Sequence, residues 1–357
     1  MSEQPQSADQ NPSPSVFPSD PQGTVHQLPS TKETVRSGIL DPSAPPALTI
    51  DSGDIVSYTN TWTQWGNEAR YGMSFAEREP IRCRYPSGPY SDIGPVVLRD
   101  AQPGDVIECR MLHLRPIDWG WNSFPLGVGA LPHDFEQPYL HYFRFNQERT
   151  AAEFVNGIQI PLAPFQGVFA VEPPGDQAIS AILAGPYGGN LDLNELVAGT
   201  SLFLPVFKPG GRVWTGDSNG AQGDGVVDQT AIETALEELR VQYVLHKQVS
   251  LQGPIVETPT HWIGLGFASS LDDALTACLR QMIAWLHDKA GMDRSDAYAL
   301  CSMVASFRVT QYSNQTGSVY TSTPPKTIHC MLPKSVFPPE LLARIAESMR
   351  SAASTAS

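Results

Sequence analysis

PVVLRDAQPGDVIECRML, residues 95–112, contains the pattern that predicts the fold. Residues 96–98 are an apolar, β-branched run, and residues 106–112 are a second one. Between them lies Gln-Pro-Gly-Asp, in which proline presets φ and glycine tolerates positive φ, as a tight turn requires. The same strand–turn–strand arrangement occurs in ALTIDSGDIVSY, residues 47–58. Because such units are typical of barrels and sandwiches, we predict a closed or nearly closed β structure for residues 24–213.

Residues 214–350 carry signals of both strand and helix. We expect strands at residues 226–228 and 241–245, whereas residues 231–238 are rich in helix formers. The strand at 226–228 would place Asp224 and Asp228 on one face. Three helices are predicted, over residues 271–289 after a serine cap, 296–304 and 339–349. The chain is thus assigned to the α+β class, β-rich, with a barrel- or sandwich-like N-terminal half and a mixed α/β C-terminal half.

The chain of 357 residues is long enough for one large domain, which we place at residues 24–350. Residues 1–23 are rich in Pro, Ser, Gln and Asp, and we expect a disordered tail there. The sequence has no apolar run of membrane-spanning length and no secretory signal. Its five cysteines form no CxxC pair, which is typical of a reducing compartment. These features predict a cytoplasmic protein that binds no membrane.

The charge balance bears on the partners of the protein. With 23 Lys and Arg against 37 Asp and Glu, the formal net charge is −14. Binding to nucleic acid needs clustered cations, and here they are scattered, so we expect no nucleic-acid partner. The global charge favours a neutral or cationic small ligand.

The densest group of polar residues is GDSNGAQGDG, residues 216–225, in which four glycines allow close approach of a ligand to the backbone. Asp217, Asn219, Gln222 and Asp224 supply oxygen ligands and hydrogen-bond partners there. The simpler alternative for this segment is a polar hairpin loop. Other candidate residues follow turns or strands, where a structural role is the alternative: Asn190, Asp192, Glu257, His261 and His329. Aromatic residues beside polar groups at 62–68 and 118–122 indicate pocket walls. Signatures of zincins, α/β-hydrolases and dinucleotide-binding folds are absent from the sequence.

Eight segments between residues 28 and 337 resemble, in the same order, motifs of the acetamidase/formamidase family. They are LPSTKETVRSGILDPSAPPALTIDSGDIV, AQPGDVIEC, IQIPLAPFQGVFAVEPP, GPYGGNLDLNELVAGTSLFLPVFKPGG, GDSNGAQGDGVVDQTAIET, ETPTHWIGLGF, DAYALCSMVASFRVTQ and IHCMLPKSVF. The resemblance implies a β-rich fold with helices in the C-terminal part. It also implies hydrolysis of a linear amide to a carboxylate and ammonia or an amine, and a homodimer.

The resemblance implies roles for individual residues as well. We expect catalytic roles for Asp217, Asp224, Glu257, His261 and His329. For substrate binding we expect Arg36, Asn190, Asn219 and Gln222. A divalent metal, Zn²⁺ or Ca²⁺, is expected at Asp192, Asp217 and Asp228.

Several positions differ from the motifs of the family. Arg36 stands where a histidine is common, Asn219 replaces a histidine, Val226 replaces a glutamate and Ser306 replaces an aspartate. Imidazole and carboxylate are the groups that bind zinc or move protons near neutral pH, so these changes remove part of such a ligand set. They leave two alternatives open: a member that binds a small amide without turnover, or a different hydrolytic or lyase reaction on the same scaffold.

Overall fold

The computed structural model of the chain describes residues 15–312 and 318–350. Residues 1–14 of the predicted tail lie outside this part, so their disorder stays a prediction. Residues 15–23 run along the body of the protein. Val16 N donates to Gly199 O at 3.0 Å, and Gln242 Nε2 donates to Gln22 O at 2.8 Å.

One layer of the fold is a nine-stranded sheet, mostly antiparallel. Across the sheet its strands are β1 (Val25–Pro29), β5 (Ile55–Thr59), β19 (Leu236–His246), β7 (Val106–Pro116), β16 (Ser201–Pro205), β20 (Ile255–Glu257), β21 (His261–Ala268), β23 (Lys326–Pro333) and β22 (Ser306–Gln311). The pair β1–β5 is parallel, and the other neighbours run antiparallel.

A ten-stranded sheet forms the second layer. Its main path is β14 (Ala184–Gly185), β15 (Gly188–Asn190), β12 (Phe165–Val171), β17 (Val213–Ala221), β18 (Ile232–Glu233), β8 (Trp119–Phe124) and β9 (Tyr139–Arg144). A branch pairs β6 (Ser91–Leu98) with β17, and β6 also pairs with β2 (Val35–Ser37) and β4 (Leu48–Ile50).

The remaining elements are short strand pairs and helices. The strand pairs are β3 (Ile39–Leu40) with β13 (Ile179–Ser180), and β10 (Ala151–Glu153) with β11 (Gln159–Pro161). The α-helices are α1 (Gln64–Asn67), α2 (Phe75–Arg82), α3 (Leu271–Ala290), α4 (Arg294–Val304) and α5 (Pro339–Met349), and 3-10 turns cover Val155–Gly157 and Lys334–Val336.

The buried residues show which faces of the two sheets and the helices pack together. One core cluster combines residues of both sheets, such as Leu202 and Leu204 of β16 with Phe165 of β12, so the two sheets face each other. Phe203 of β16 belongs to a second cluster, which contains apolar residues of α3, α4 and α5. Since side chains alternate along a strand, the nine-stranded sheet is covered by the other sheet on one face and by helices on the opposite face. The expected β-rich α+β class with C-terminal helices is confirmed.

Helix α3 lies close against β21 because two glycines leave room for it. A Cβ at Gly266 would lie 2.2 Å from Cys278 N, and one at Gly264 would lie 2.3 Å from Met282 Sδ. The helix begins after Ser270, whose side chain accepts from Asp273 N, and ends at the left-handed Gly291. None of the helices in residues 15–312 and 318–350 is both long and apolar enough to span a bilayer.

Two local predictions differ from the structure. The strand predicted at residues 226–228 is wrong: this segment is a turn in which Val226 has φ of +43°. Asp224 and Asp228 therefore do not share a strand face. Residues 232–233 and 236–238, within the stretch rich in helix formers, are strand residues of β18 and β19 because pairing with neighbouring strands outweighs their helix propensity.

Candidate functional site

Three adjacent strands bring the predicted residues Asp192 and Asp217 together. The middle strand, β12, lies between β15, which Asp192 follows, and β17, which contains Asp217. Gly167 of β12 makes the close approach possible. A Cβ at this position would lie 2.1 Å from Asp217 Oδ2 and 2.7 Å from Asp192 Oδ1. Both carboxylates thus occupy the space that a side chain at position 167 would fill.

The side-chain amides of Asn190 and Asn219 hold these two carboxylates. Asn190 Nδ2 donates to Asp192 Oδ2 at 3.1 Å, and Asn219 Nδ2 lies 3.4 Å from Asp217 Oδ2. All four residues are buried. Oδ1 of Asn190, Asn219 and Asp217 has no hydrogen-bond partner in the described part of the chain. The cluster therefore presents acceptor atoms that no protein donor uses.

Two further acids complete this group, which we call the acid cluster: Asp92, Asp192, Asp217 and Glu233. Glu233 lies on β18 opposite Asn219; its Oε1 accepts from Ala231 N at 3.0 Å and its Oε2 accepts from Gln64 Nε2 at 2.7 Å. Asp92 lies on β6, fully buried beside Gly216. Neither acid was a candidate from the sequence. Glu233 lies in the stretch rich in helix formers, and Asp92 lies in a segment without a polar motif.

Burial changes the acidity of the whole cluster. It raises the pKa of Asp192 from 3.8 to about 6, and it raises the pKa of Glu233 from 4.5 to about 8. The pKa of Asp217 is also raised, first by burial and then by the charges of Glu233 and Asp192. Near neutral pH the cluster therefore contains a base, Asp192, and a protonated acid, Glu233.

A partly open cavity reaches the acid cluster at Glu233. Glu233 and Tyr90 line it, and the Tyr90 hydroxyl accepts from Asn190 Nδ2 at 3.1 Å. Trp65, in one of the two segments predicted as pocket walls, lines the same cavity. Glu233 thus faces this cavity directly, and Tyr90 links the cavity wall to Asn190.

A second group, which we call the His329 group, consists of Glu195, Asp224 and His329. Among the described residues it is the set whose donor atoms lie close enough to hold one metal ion, all within 4.8 Å of one another. His329 is fully buried, and its Nδ1 bonds to Thr310 Oγ1 at 2.9 Å. Its Nε2 lies 3.6 Å from Glu195 Oε1 and makes no hydrogen bond to any described residue. Arg308 Nη1 lies 3.7 Å from Glu195 Oε1 and 3.6 Å from Asp224 Oδ2.

Gln222 lies between the acid cluster and the His329 group. Its Nε2 donates to Asp192 O at 2.7 Å, and its own carbonyl accepts from Asn194 Nδ2 at 3.0 Å. His261 Nδ1 bonds to Thr260 Oγ1 at 2.8 Å. Burial and then the charge of Arg308 lower the pKa of His261, so His261 is close to the His329 group.

Glu257 belongs to a separate buried ion network. Lys334 Nζ donates to its Oε1 at 2.7 Å, and Arg350 Nη2 donates to its Oε2 at 2.6 Å. Arg350 also contacts Glu108 at 2.8 Å, and Glu108 contacts His246 at 2.9 Å. Both oxygens of Glu257 are therefore engaged by cations, as in a structural ion pair.

Arg36 lies apart from both groups, and Asp228 interacts with the acid cluster only through its charge, which helps to raise the pKa of Glu233. Arg36 Nη1 donates to the carbonyls of Lys32, Glu33 and Val35 at 3.0 to 3.3 Å, which fixes the preceding loop. Asp228 Oδ1 accepts from Thr230 N at 3.0 Å within its own turn. The structure thus brings Asp192 and Asp217 of the predicted metal ligands together without Asp228.

Comparisons with known proteins agree with this architecture. Residues 175–338 match the model of the Acetamidase/Formamidase family. A Schizosaccharomyces pombe protein named "Putative formamidase" is 24% identical over 52% of this chain, and the match covers 58% of that protein, less than two thirds of its length.

Two solved structures share the fold. An acetamidase from Bacillus halodurans has a TM-score of 0.77 at 24% identity, covering 87% of this chain and 98% of its own. An acetamidase from Yersinia enterocolitica has a TM-score of 0.77 at 23% identity, covering 88% and 93%. The family match spans Asn190, Asp192, Asp217 and Glu233. Residues 175–338 are thus similar to the acetamidase/formamidase family, and most of the chain shares the fold of the two acetamidase structures.

Proposed function

We propose that the protein hydrolyses the carbon–nitrogen bond of a linear amide, formamide- or acetamide-like or larger, to a carboxylate and ammonia or an amine. One observation supports this proposal: buried acceptor atoms of Asn190, Asn219 and Asp217 have no donor among residues 15–312 and 318–350 and lie beside two carboxylates. A primary amide nitrogen offers two hydrogens to such acceptors. An unpaired acceptor costs free energy until a ligand satisfies it, so the site favours a ligand rich in N–H donors.

The acidities of the cluster suit the two proton transfers of the reaction. Asp192, with a pKa raised to about 6, accepts a proton from water, and the resulting hydroxide adds to the carbonyl carbon. Glu233, with a pKa raised to about 8, donates a proton to the departing nitrogen. Asp217 shares a proton with Asp192. In this scheme His261, Glu257, Arg36 and Asp228 do not touch the substrate.

The first test is ammonia release from formamide, acetamide, propionamide and butyramide. We expect Asp192→Asn and Asp217→Asn to lower kcat by about 100-fold or more, the usual contribution of acid–base groups. Asp228→Asn is the matched control, since Asp228 is an acid outside the cluster whose pKa is also raised by burial. Unchanged amide turnover in Asp217→Asn would contradict the catalytic role proposed for the acid cluster.

A second candidate function is binding of a small amide without turnover. Two observations favour it. Asn219 stands where a histidine is common, and the two predicted catalytic histidines bond to threonines, His329 to Thr310 and His261 to Thr260. In that case none of the four amides releases ammonia, and calorimetry detects saturable binding that Asp217→Asn abolishes.

We also propose a divalent cation, Zn²⁺ rather than Ca²⁺, at the His329 group. Within the described part of the chain, the buried Nε2 of His329 and Oε2 of Glu195 make no hydrogen bond, and Nε2 lies 3.6 Å from Glu195 Oε1; a nitrogen with carboxylates suits zinc. Arg308, with a side chain 47% exposed, can leave the two carboxylates for solvent when a cation binds. Zinc would supply a Lewis acid beside Gln222 and Asp192.

Metal analysis of the purified protein tests this site. We expect about one zinc per chain, its loss in His329→Ala and Glu195→Gln, and a lower melting temperature after chelation. Zinc that remains stoichiometric in His329→Ala, or fails to bind on addition, would contradict the proposal. The homodimer and the cytoplasmic location stay predictions from the sequence.

A further inference from the structure

Arg78 is a buried cation in the wall of the cavity that reaches the acid cluster. It lies on α2 and is 4% exposed. Its guanidinium carbon lies 4.6 Å from the ring centre of Trp121 and 5.0 Å from that of Trp65. These aromatic faces position the guanidinium through cation–π contacts and provide no lone-pair acceptors for its N–H groups.

Most of the hydrogen-bonding capacity of Arg78 is unused. Nε, Nη1 and Nη2 are buried, and none makes a hydrogen bond of good geometry in the described part of the chain. The hydroxyl of Tyr142 is near enough to act as a weak acceptor for the guanidinium, and it donates its own hydrogen to Met73 O at 2.8 Å. A buried guanidinium with so few acceptors is costly, and the usual remedy is a carboxylate that accepts two parallel hydrogen bonds.

No protein carboxylate fills this role in the described residues. Glu79, also in the cavity wall, accepts two hydrogen bonds of 3.1 Å from Arg82. Glu233 interacts with Arg78 only through its charge, while its two oxygens accept from Ala231 N and Gln64 Nε2. Within residues 15–312 and 318–350, Arg78 is therefore a buried cation of the cavity wall without a carboxylate partner.

We infer that Arg78 binds a carboxylate of the substrate, so that the preferred substrates are linear amides that also carry a carboxylate, such as half-amides of short dicarboxylic acids. The inference rests on the proposed amide hydrolysis for the reacting end of the molecule. Arg78 and Glu233 line one cavity, so a ligand can reach both. The net charge of −14 favours neutral or cationic ligands, and this local cation opposes that trend.

The test compares succinamate with butyramide, in which a methyl group replaces the carboxylate. For the unmodified protein we expect kcat/KM to be about 100-fold higher for succinamate, the scale of a buried charged hydrogen-bonded pair. Arg78→Met should remove this preference mainly through KM and leave butyramide turnover within about threefold. Arg78→Lys should keep part of it, since an ammonium cannot form the bidentate pair. Arg82→Met, a change of the neighbouring cation that is already paired, is the matched control.

Binding of succinate, measured by calorimetry, separates this inference from the proposed hydrolysis. Succinate binding that weakens about 100-fold in Arg78→Met supports the inference even when no amide is hydrolysed. Hydrolysis of both amides at equal rates, lowered equally in Arg78→Met, overturns the inference and leaves the hydrolysis intact. If Arg78→Met does not fold, the same substrate pair is measured with Arg78→Lys, and an unchanged preference for succinamate overturns the inference.

Discussion

At the scale of single residues, the acid cluster opposes the stability of the fold. Asp92, Asp192, Asp217 and Glu233 are all buried, and their pKa values are raised because burial penalises the charged form. Carboxylates placed this way bind protons more tightly in the folded state than in the unfolded chain. Buried acids of this kind lower the stability of the folded state, and a protein keeps them where proton transfer requires them.

Glu233→Gln should therefore stabilise the protein at high pH. The folded state holds the Glu233 proton up to pH about 8, whereas the ordinary pKa is 4.5, so stability falls as pH rises between these values. A glutamine at position 233 does not ionise, so this loss of stability with rising pH is absent from the variant. We expect the free energy of unfolding of the variant to exceed that of the unmodified protein by roughly 2–4 kcal/mol above pH 8, and by little below pH 5.

Urea denaturation at several pH values measures this difference. The exposed Glu153→Gln serves as the control and should show no such trend with pH. A Glu233→Gln variant that is destabilised equally at pH 5 and pH 9 would falsify the assignment of a raised pKa to Glu233.

At the scale of elements, the path of β12 determines the separation of the two central carboxylates. Its residue 167 lacks a side chain, which leaves the face of the strand free for the carboxylates from both neighbouring strands. The geometry of the Asp192–Asp217 pair thus depends on three neighbouring strands and not on one loop.

Gly167→Ala should disturb this geometry more than the fold. The new Cβ would overlap Asp217 Oδ2, and the buried carboxylates have to move apart. We expect a loss of about 1–3 kcal/mol of stability, as overpacking usually causes, and a fall in kcat of about 100-fold. Gly223→Ala, where a Cβ meets open space, is the control. Full amide turnover in Gly167→Ala would contradict the central position of the Asp192–Asp217 pair.

At the scale of the whole molecule, the sequence predicts the class of fold, but it does not predict that residues 216–221 continue the strand β17. The Gly-Asp turns mark β4–β5 and β6–β7, and the serine cap marks α3, because these signals are local. Asn190, Asp192 and Asp217 are recognisable from their motifs. Glu233 is not, since residues 231–238 have helix propensity and their strand pairing is set by distant partners. Arg78 is missed because only the fold places Trp65 and Trp121 around it.

The order of strands in the nine-stranded sheet has a consequence for synthesis of the chain on the ribosome. β19, residues 236–246, hydrogen-bonds to β5 on one side and to β7 on the other. A nascent chain ending near residue 213 would expose two unsatisfied strand edges, which invite association with other chains. Sequestration of these edges has to wait until β19 leaves the exit tunnel, so the N-terminal half acquires its final structure late. Fragments divided at this boundary are thus expected to assemble only when both are present.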